Sequence, residues 1–197
     1  MRLWRAAAIV LAGASLGACA LLGMGRTLPP APLLAPAALG QHVQITQKVT
    51  VHSGEERQSF LAAWLAAPDR LDLAGLSPSG QRLLTLSWDG EQFREDYSPM
   101  LDRELPGRQV LSQLQLAHWP LDGIRQSLTG SPWRLEQTLQ GEYRERHLYF
   151  RGTAILSIVA RMPHDGAHSL PATISIRSHL AAYRLEVETL QVQVVSQ

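Results

Sequence analysis

Cysteine and lysine occur once each in the 197 residues, as Cys19 and Lys48. A lone thiol closes no internal disulfide and has no second soft ligand with which to hold zinc, so neither kind of staple organises the fold. Charge of one sign is also lacking, since 18 basic residues stand against 17 acidic ones and leave a net +1. A chain this near neutrality is a poor candidate for nucleic acid, whose counterion release needs a concentrated basic face. No glycine-rich phosphate loop is present. Aromatic residues make up only 6% of the chain, and they recur at spacings that matter below.

What is there begins at the amino terminus. Arg2 and Arg5 carry the only charges before Cys19, and Ala6 to Ala14 follow as an unbroken apolar or small stretch. A basic start and an apolar core too short to cross a bilayer as a stable helix are the layout of a secretory signal. The stretch ends in Leu16-Gly17-Ala18-Cys19, which resembles the cleavage box of bacterial lipoproteins. That resemblance implies cleavage after Ala18, a diacylglyceryl group on the Cys19 sulfur, acylation of the new amino terminus and, with Ala20 in second place, delivery to the outer membrane. Three acyl chains, each buried methylene contributing about 0.8 kcal/mol, make such an attachment effectively permanent.

Residues 1–18 are therefore expected to be a lipoprotein signal peptide. The remaining 179 residues carry 16 basic and 17 acidic groups, a net of −1, because Arg2 and Arg5 leave and no acid does. Residues 19–40 read as a lipidated, proline-rich tether: four prolines and three glycines between Ala20 and Gly40 interrupt every helix or strand. Such a composition favours an extended, semi-rigid spacer. Its leucines are unusual for a solvated linker and suit contact with the membrane or with the domain.

From residue 41 to 197 the period changes. Val43, Ile45, Val49 and Val51 alternate with polar residues, the mark of a half-buried strand. After the turn at 53–56, the alanines and leucines of residues 57–67 suit a helix while Phe60, Ala62, Trp64 and Ala66 alternate; a short turn after a strand usually returns as a hairpin, so a second strand is expected. Leu71 and Leu73 follow in phase, then a turn at 77–80, then Leu84, Leu86 and Trp88. Asp89-Gly90 is a strong hairpin signal and leads to Phe93 and Tyr97. From Gln109 the spacing becomes helical, with Val110, Leu111, Leu114, Ala117 and His118 on one stripe. Pro120 ends that helix, and a second runs from Leu121 to Leu128. Strands resume at Trp133, Leu135 and Leu139 and continue to the carboxyl end, where Tyr183, Leu185 and Val187 share one parity and Leu190, Val192 and Val194 the other. A bulge near Glu188 and Thr189 reconciles the two runs. The expected fold is mostly β: a curved antiparallel half-barrel of about nine or ten strands, a number at which open sheets curl, with a two-helix insertion over the concave face.

The cleavage box, the strand meander, "LAGLSPSGQRLLTLSWDG" (residues 73–90), "VLSQLQLAHWPLDGIRQSL" (residues 110–128) and the return to strands resemble an outer-membrane lipoprotein family often encoded with aryl polyene biosynthesis genes. That family in turn is similar to LolB, the outer-membrane receptor of lipoprotein localisation, and to its carrier LolA. The resemblance implies an open half-barrel with a helical lid that binds an acyl, lipid-like or polyene-like ligand without catalysis. Phe60, Trp64, Leu84, Leu86, Trp88, Phe93, Leu114, Ile124, Trp133 and Leu135 are then the expected lining of a hydrophobic cavity; the pattern alone favours a filled core made of the same residues. LolB presents an exposed leucine on the loop corresponding to "LSPSGQ". Here Ser79 holds that place and Leu76 is the nearest apolar residue, so Leu76 and Ser79 are the expected membrane-contact loop.

Chemistry-bearing motifs have simpler readings. Gly13-Ala14-Ser15-Leu16-Gly17 has the form of a nucleophile elbow but lies inside the signal peptide, without the strand and helix that expose such a serine. His164 and His168 flank Asp165 in a stretch broken by Pro163 and Gly166, which suits a solvated hairpin tip better than a metal site. His118 beside Trp119 reads as a packed histidine. Glu95-Asp96, Asp102-Arg103-Glu104 and Arg144-Glu145-Arg146 read as solvated charge. No catalytic residue, metal or cofactor is expected. The expected protein is a monomer on the periplasmic side of the outer membrane, held there by its lipid, that binds or hands over a hydrophobic ligand. The alternative is a structural accessory docking an envelope enzyme or transporter, with an acyl hydrolase third.

Overall fold

A computed structural model describes residues 31–101, 106–163 and 170–195. The signal peptide, Cys19 and the start of the tether lie outside the described residues, as do the His164–His168 cluster and Asp102-Arg103-Glu104. Hairpin after hairpin, the chain builds β1 (Val43–Ser53), β2 (Glu56–Ala67), β3 (Arg70–Leu76), β4 (Arg82–Trp88) and β5 (Phe93–Tyr97). Two helices, α1 (Gly107–His118) and α2 (Leu121–Leu128), follow, and a second meander completes the chain: β6 (Trp133–Gln140), β7 (Tyr143–Phe150), β8 (Thr153–Arg161), β9 (Thr173–Ser178) and β10 (Tyr183–Val194).

Pairing β1 with β10 joins the two meanders into one ten-stranded antiparallel sheet, in the order β5-β4-β3-β2-β1-β10-β9-β8-β7-β6. The sheet is curved and does not close, so the expected architecture is the one observed. This topology also dictates where the helices go. The chain leaves the sheet at one edge, β5, and re-enters at the other, β6, and the connection crosses the concave face, covering part of its apolar side. At its start α1 meets β4 and β5, where the Gly107 amide donates to the Tyr97 hydroxyl at 3.1 Å. Midway, Gln109 and Gln113 donate to the Tyr183 hydroxyl at the head of β10.

Inward-facing residues follow the two-residue period: Ile45 lies opposite Trp64, Trp64 opposite Leu73, and Leu73 opposite Leu86. In β10 the register slips between Thr46 and Gln47 of β1, with Gln191 opposite Thr46 and Thr189 opposite Gln47. Leu190 is thus the extra residue, one position beyond the bulge expected from the parity change.

Three expectations about individual residues need correction. Leu139 is 68% exposed near the end of β6 rather than packed with Trp133 and Leu135. In β7, Arg144 and Arg146 point inward; Arg146 lies opposite Gln137 and Ile158 and is only 2% exposed. Their parity is that of Leu148 and Phe150, so the inner face of β7 is half cationic. The last ten residues assigned to the tether are part of the domain: Pro36–Leu39 form a short 3-10 helix, and Leu34 and Leu39 are buried in the main core.

Gly107 is required by the close approach of α1 to the sheet. A Cβ there would lie 2.6 Å from the Leu86 Cδ2, 2.6 Å from a Glu95 carboxylate oxygen and 2.7 Å from the Tyr97 hydroxyl. The Glu95 and Tyr97 tips can shift, but Leu86 is held within the core. Gly107→Ala is expected to lower the unfolding free energy by about 1–3 kcal/mol, read as a fall in urea midpoint at unchanged slope.

Candidate functional site

Hydrophobic side chains on a concave face must be covered, and here the covering is internal. Trp64, Leu84, Leu86, Trp88, Ile124, Trp133 and Leu135 are buried in one cluster, with Phe60, Phe93 and Leu114 packed against it. The ten residues expected to line a cavity are thus brought together, but they touch the helices and one another. Between α1 and β6–β8 a void of about 20 Å³ remains, lined by Gln109, Ser112, Leu116, Trp133 and Leu148 among others. That is room for about one water. A larger, open hollow of about 400 Å³ lies on the opposite, outer face of β1–β4, among Gln44, Ala63, Leu65, Asp72, Ala74 and Thr85. Leu76 is half-buried at the end of β3, and Ser79 is exposed at the tip of the following turn, its hydroxyl 2.8 Å from that of Ser77.

Beneath the helices, the apolar face of β1–β4 is covered by residues 31–39. This strap is held through its backbone. The Leu34 N–H donates to Gln115 Oε1 at 2.8 Å, and the Leu34 carbonyl accepts from Gln115 Nε2 at 2.8 Å and from the Trp88 indole at 2.8 Å. One residue on, the Ala35 carbonyl accepts from the Trp119 indole at 3.2 Å. Gln115 is fully buried and Leu34 is 1% exposed. The residue before a proline favours an extended backbone, and Ala35, preceding Pro36, has φ −57° and ψ 136°. Helix α2 closes over the strap at Gly123, where a Cβ would come within 3.3 Å of the Ala38 carbonyl oxygen.

A second polar cluster pins the end of α1. The Trp64 indole donates to Gln47 Oε1 at 3.0 Å, and Gln47 Nε2 bonds both His118 Nε2 and the Thr189 hydroxyl at 3.1 Å. Because His118 Nδ1 faces the Leu114 carbonyl at 2.9 Å, the proton sits on Nδ1 and Nε2 accepts from Gln47. Thr189 in turn donates to the Pro171 carbonyl at 2.7 Å. The imidazole stacks edge-on against Trp64, ring centres 4.9 Å apart. Arg144 and Arg146 cap the carbonyls of Ala117 and Leu116, and Arg146 Nε reaches Gln137 Oε1 at 2.8 Å. Two guanidinium groups at a helix carboxyl end match its partial negative charge. Burial, with a smaller contribution from Arg144, lowers Arg146 to about 9, leaving it charged at neutral pH. Among the described residues no three His, Cys, Asp or Glu side chains converge on a metal-sized site.

The model of a family described as "Protein of unknown function (DUF3261)" matches residues 44–191. The chain belongs to that family. No curated protein matches the DUF3261 chain. Among solved structures it is similar to an outer membrane lipoprotein-sorting protein domain from Vibrio parahaemolyticus, at 6% identity over 79% of this chain and 86% of that one, with a TM-score of 0.41. It is similar to an uncharacterized conserved protein from Thermus thermophilus, at 12% identity over 83% and 84%, TM-score 0.40. A chain of the Pseudomonas aeruginosa MucA/MucB complex aligns at 16% identity over 83% of this chain and 55% of its own length, TM-score 0.42. Likeness at this level carries no information about ligand or partner.

Sequence reasoning for this DUF3261 protein missed Leu34, Gln47, Gln115, Trp119, Arg144 and Arg146. A signal existed for one of them: Gln115 falls four residues after Leu111 and three before His118, on the same helical face.

The neutral His118 gives a pH test. Burial, aided by the two arginines and opposed by the Leu114 hydrogen bond, lowers it to about 4 from an ordinary 6.5. The unfolded chain therefore takes a proton that the folded protein refuses. Stability is full above the ordinary value, falls as pH drops below it and levels off near the folded value, with roughly 2 kcal/mol lost by pH 5. Urea titrations at pH 7 and pH 5 are expected to show this difference, and His118→Asn to reduce it.

Proposed function

We propose that this protein is an outer-membrane lipoprotein, anchored through Cys19 and facing the periplasm, that binds an elongated hydrophobic ligand in the concave groove where residues 31–39 now lie. The observation that carries this reading is the strap: a groove floored by Trp64 and flanked by Trp88 and Trp119 takes a segment of chain that lies outside the sheet. A ligand entering there displaces the strap rather than filling an existing void. The class implied by the sequence resemblance is acyl, lipid-like or polyene-like, and the corresponding role is in aryl polyene lipid handling or lipoprotein localisation.

A second reading has its own support. A concave face filled by side chains, with space for about one water between α1 and β6–β8, suits an accessory domain that docks an envelope protein.

Two measurements test these readings. Mass spectrometry of membrane-extracted protein is expected to find Cys19 as the amino terminus carrying three acyl chains; an unmodified Cys19 overturns the anchor. The chain from residue 20 is expected to bind a fluorescent fatty-acid probe, with affinity reduced at least several-fold by Trp88→Phe or Trp133→Phe. No binding, or binding indifferent to both substitutions, overturns the hydrophobic-ligand reading and leaves the accessory one.

A further inference from the structure

The groups that hold the strap specify more than an apolar surface. Were residues 31–39 to leave, two indole N–H groups and a primary amide would be left in a buried groove: Trp88 Nε1, Trp119 Nε1 and both ends of Gln115. Burying such groups without partners is costly, and a hydrocarbon chain offers them nothing. A peptide unit offers what they lack. Gln115 accepts from one backbone N–H and donates to the carbonyl of the same residue, Leu34, while each indole takes a carbonyl, those of Leu34 and Ala35. These contacts read backbone, so they accept different sequences. Selectivity comes from the neighbouring side chains: a leucine fully enclosed in the core and, two residues on, Pro36, buried at the start of the 3-10 helix, while Ala35 between them is exposed and restricts nothing.

We infer that the groove between α1 and β1–β4 is a binding site for an apolar peptide segment that turns at a proline, with the pattern aliphatic-x-proline, occupied in cis by residues 31–39 and open to the same kind of segment from another protein. This rests on the accessory reading and names the chemistry of the partner: a stretch of unpaired, proline-containing chain rather than a folded surface. The cis segment is tied to β1 through Gly40, whose φ of +73° places a permissive hinge between strap and sheet. A tethered competitor at millimolar effective concentration lowers the apparent affinity for any incoming peptide. Weakening the strap therefore strengthens binding in trans.

The test uses a fluorescein-labelled peptide of residues 31–39, APLLAPAAL, and the chain from residue 20. Wild-type protein is expected to bind it weakly, and Leu34→Ala, which loosens the strap while leaving Gln115 and both tryptophans in place, at least tenfold more tightly. Adding Gln115→Leu to Leu34→Ala is expected to remove that gain. Leu39→Ala, loosening the strap at its other anchor, serves if Leu34→Ala does not fold. In wild-type protein, hydrogen exchange provides an independent reading: millimolar unlabelled peptide is expected to speed exchange of the 31–39 amides while those of β1 to β4 stay protected. Equal affinity of wild-type and strap variants, indifference to Gln115→Leu, or no peptide-dependent exchange in 31–39 overturns the inference. A fatty-acid arm keeps the readings separate. Probe binding without peptide binding overturns this inference and retains the hydrophobic-ligand proposal, and peptide binding without probe binding does the reverse.

Discussion

A polar atom shut away from water must be paired, and the interior of this protein is arranged around one such pairing: the side-chain amide of Gln115 against the peptide unit of Leu34. Helix α1 is buried on nearly every side, so a glutamine in its middle has no solvent to turn to. The strap gives it a donor and an acceptor at once. With Leu34 fixed, its carbonyl satisfies Trp88 and the next carbonyl satisfies Trp119. Those two bulky indoles can then sit in the core without stranded N–H groups. The strap in turn supplies Leu34 and Leu39 to the apolar cluster, which is why the region over β1–β4 is filled although the helices alone leave it uncovered.

The opposite end of α1 is governed by the same requirement. Pro120 stops the helix, and the carbonyls of Leu116 and Ala117 are left without helical partners. Arg144 and Arg146 supply them from across the sheet. A glutamine, a neutral histidine and a threonine complete the enclosure from β1, α1 and β10. The helix is thus specified by hydrogen bonds at its middle and both ends, while burial supplies the bulk of the driving force.

How legible this was follows from the physics of each element. Strands with one face inward announce themselves by alternation, and β1 to β5 were read with their facing residues correct because Trp64, Leu73 and Leu86 repeat at two. Both helices were legible because Pro120 and the glycine after Thr129 bracket them. The bulge in β10 was visible as a parity change, one residue from its true position. The strap was not legible as structure. Pro32 and Pro36 suppress any periodic signal, and capture by side-chain amides and indoles leaves no trace in the captured segment beyond its leucines. Nor was the fate of Arg144 and Arg146, since arginine at inward parity is indistinguishable from exposed arginine until the carbonyls it caps are located. Of the site, the apolar residues are legible as a set; the polar ones that hold the strap are not.

Docking residues 31–39 onto the domain has a mechanical side as well. Were the chain held to a bilayer at Cys19, the twelve residues from there to Ala31 would set a contour length of at most about 40 Å. With the strap released as far as β1, that contour would become about 80 Å. Vacating the groove would therefore about double the distance from the membrane at which the sheet can operate.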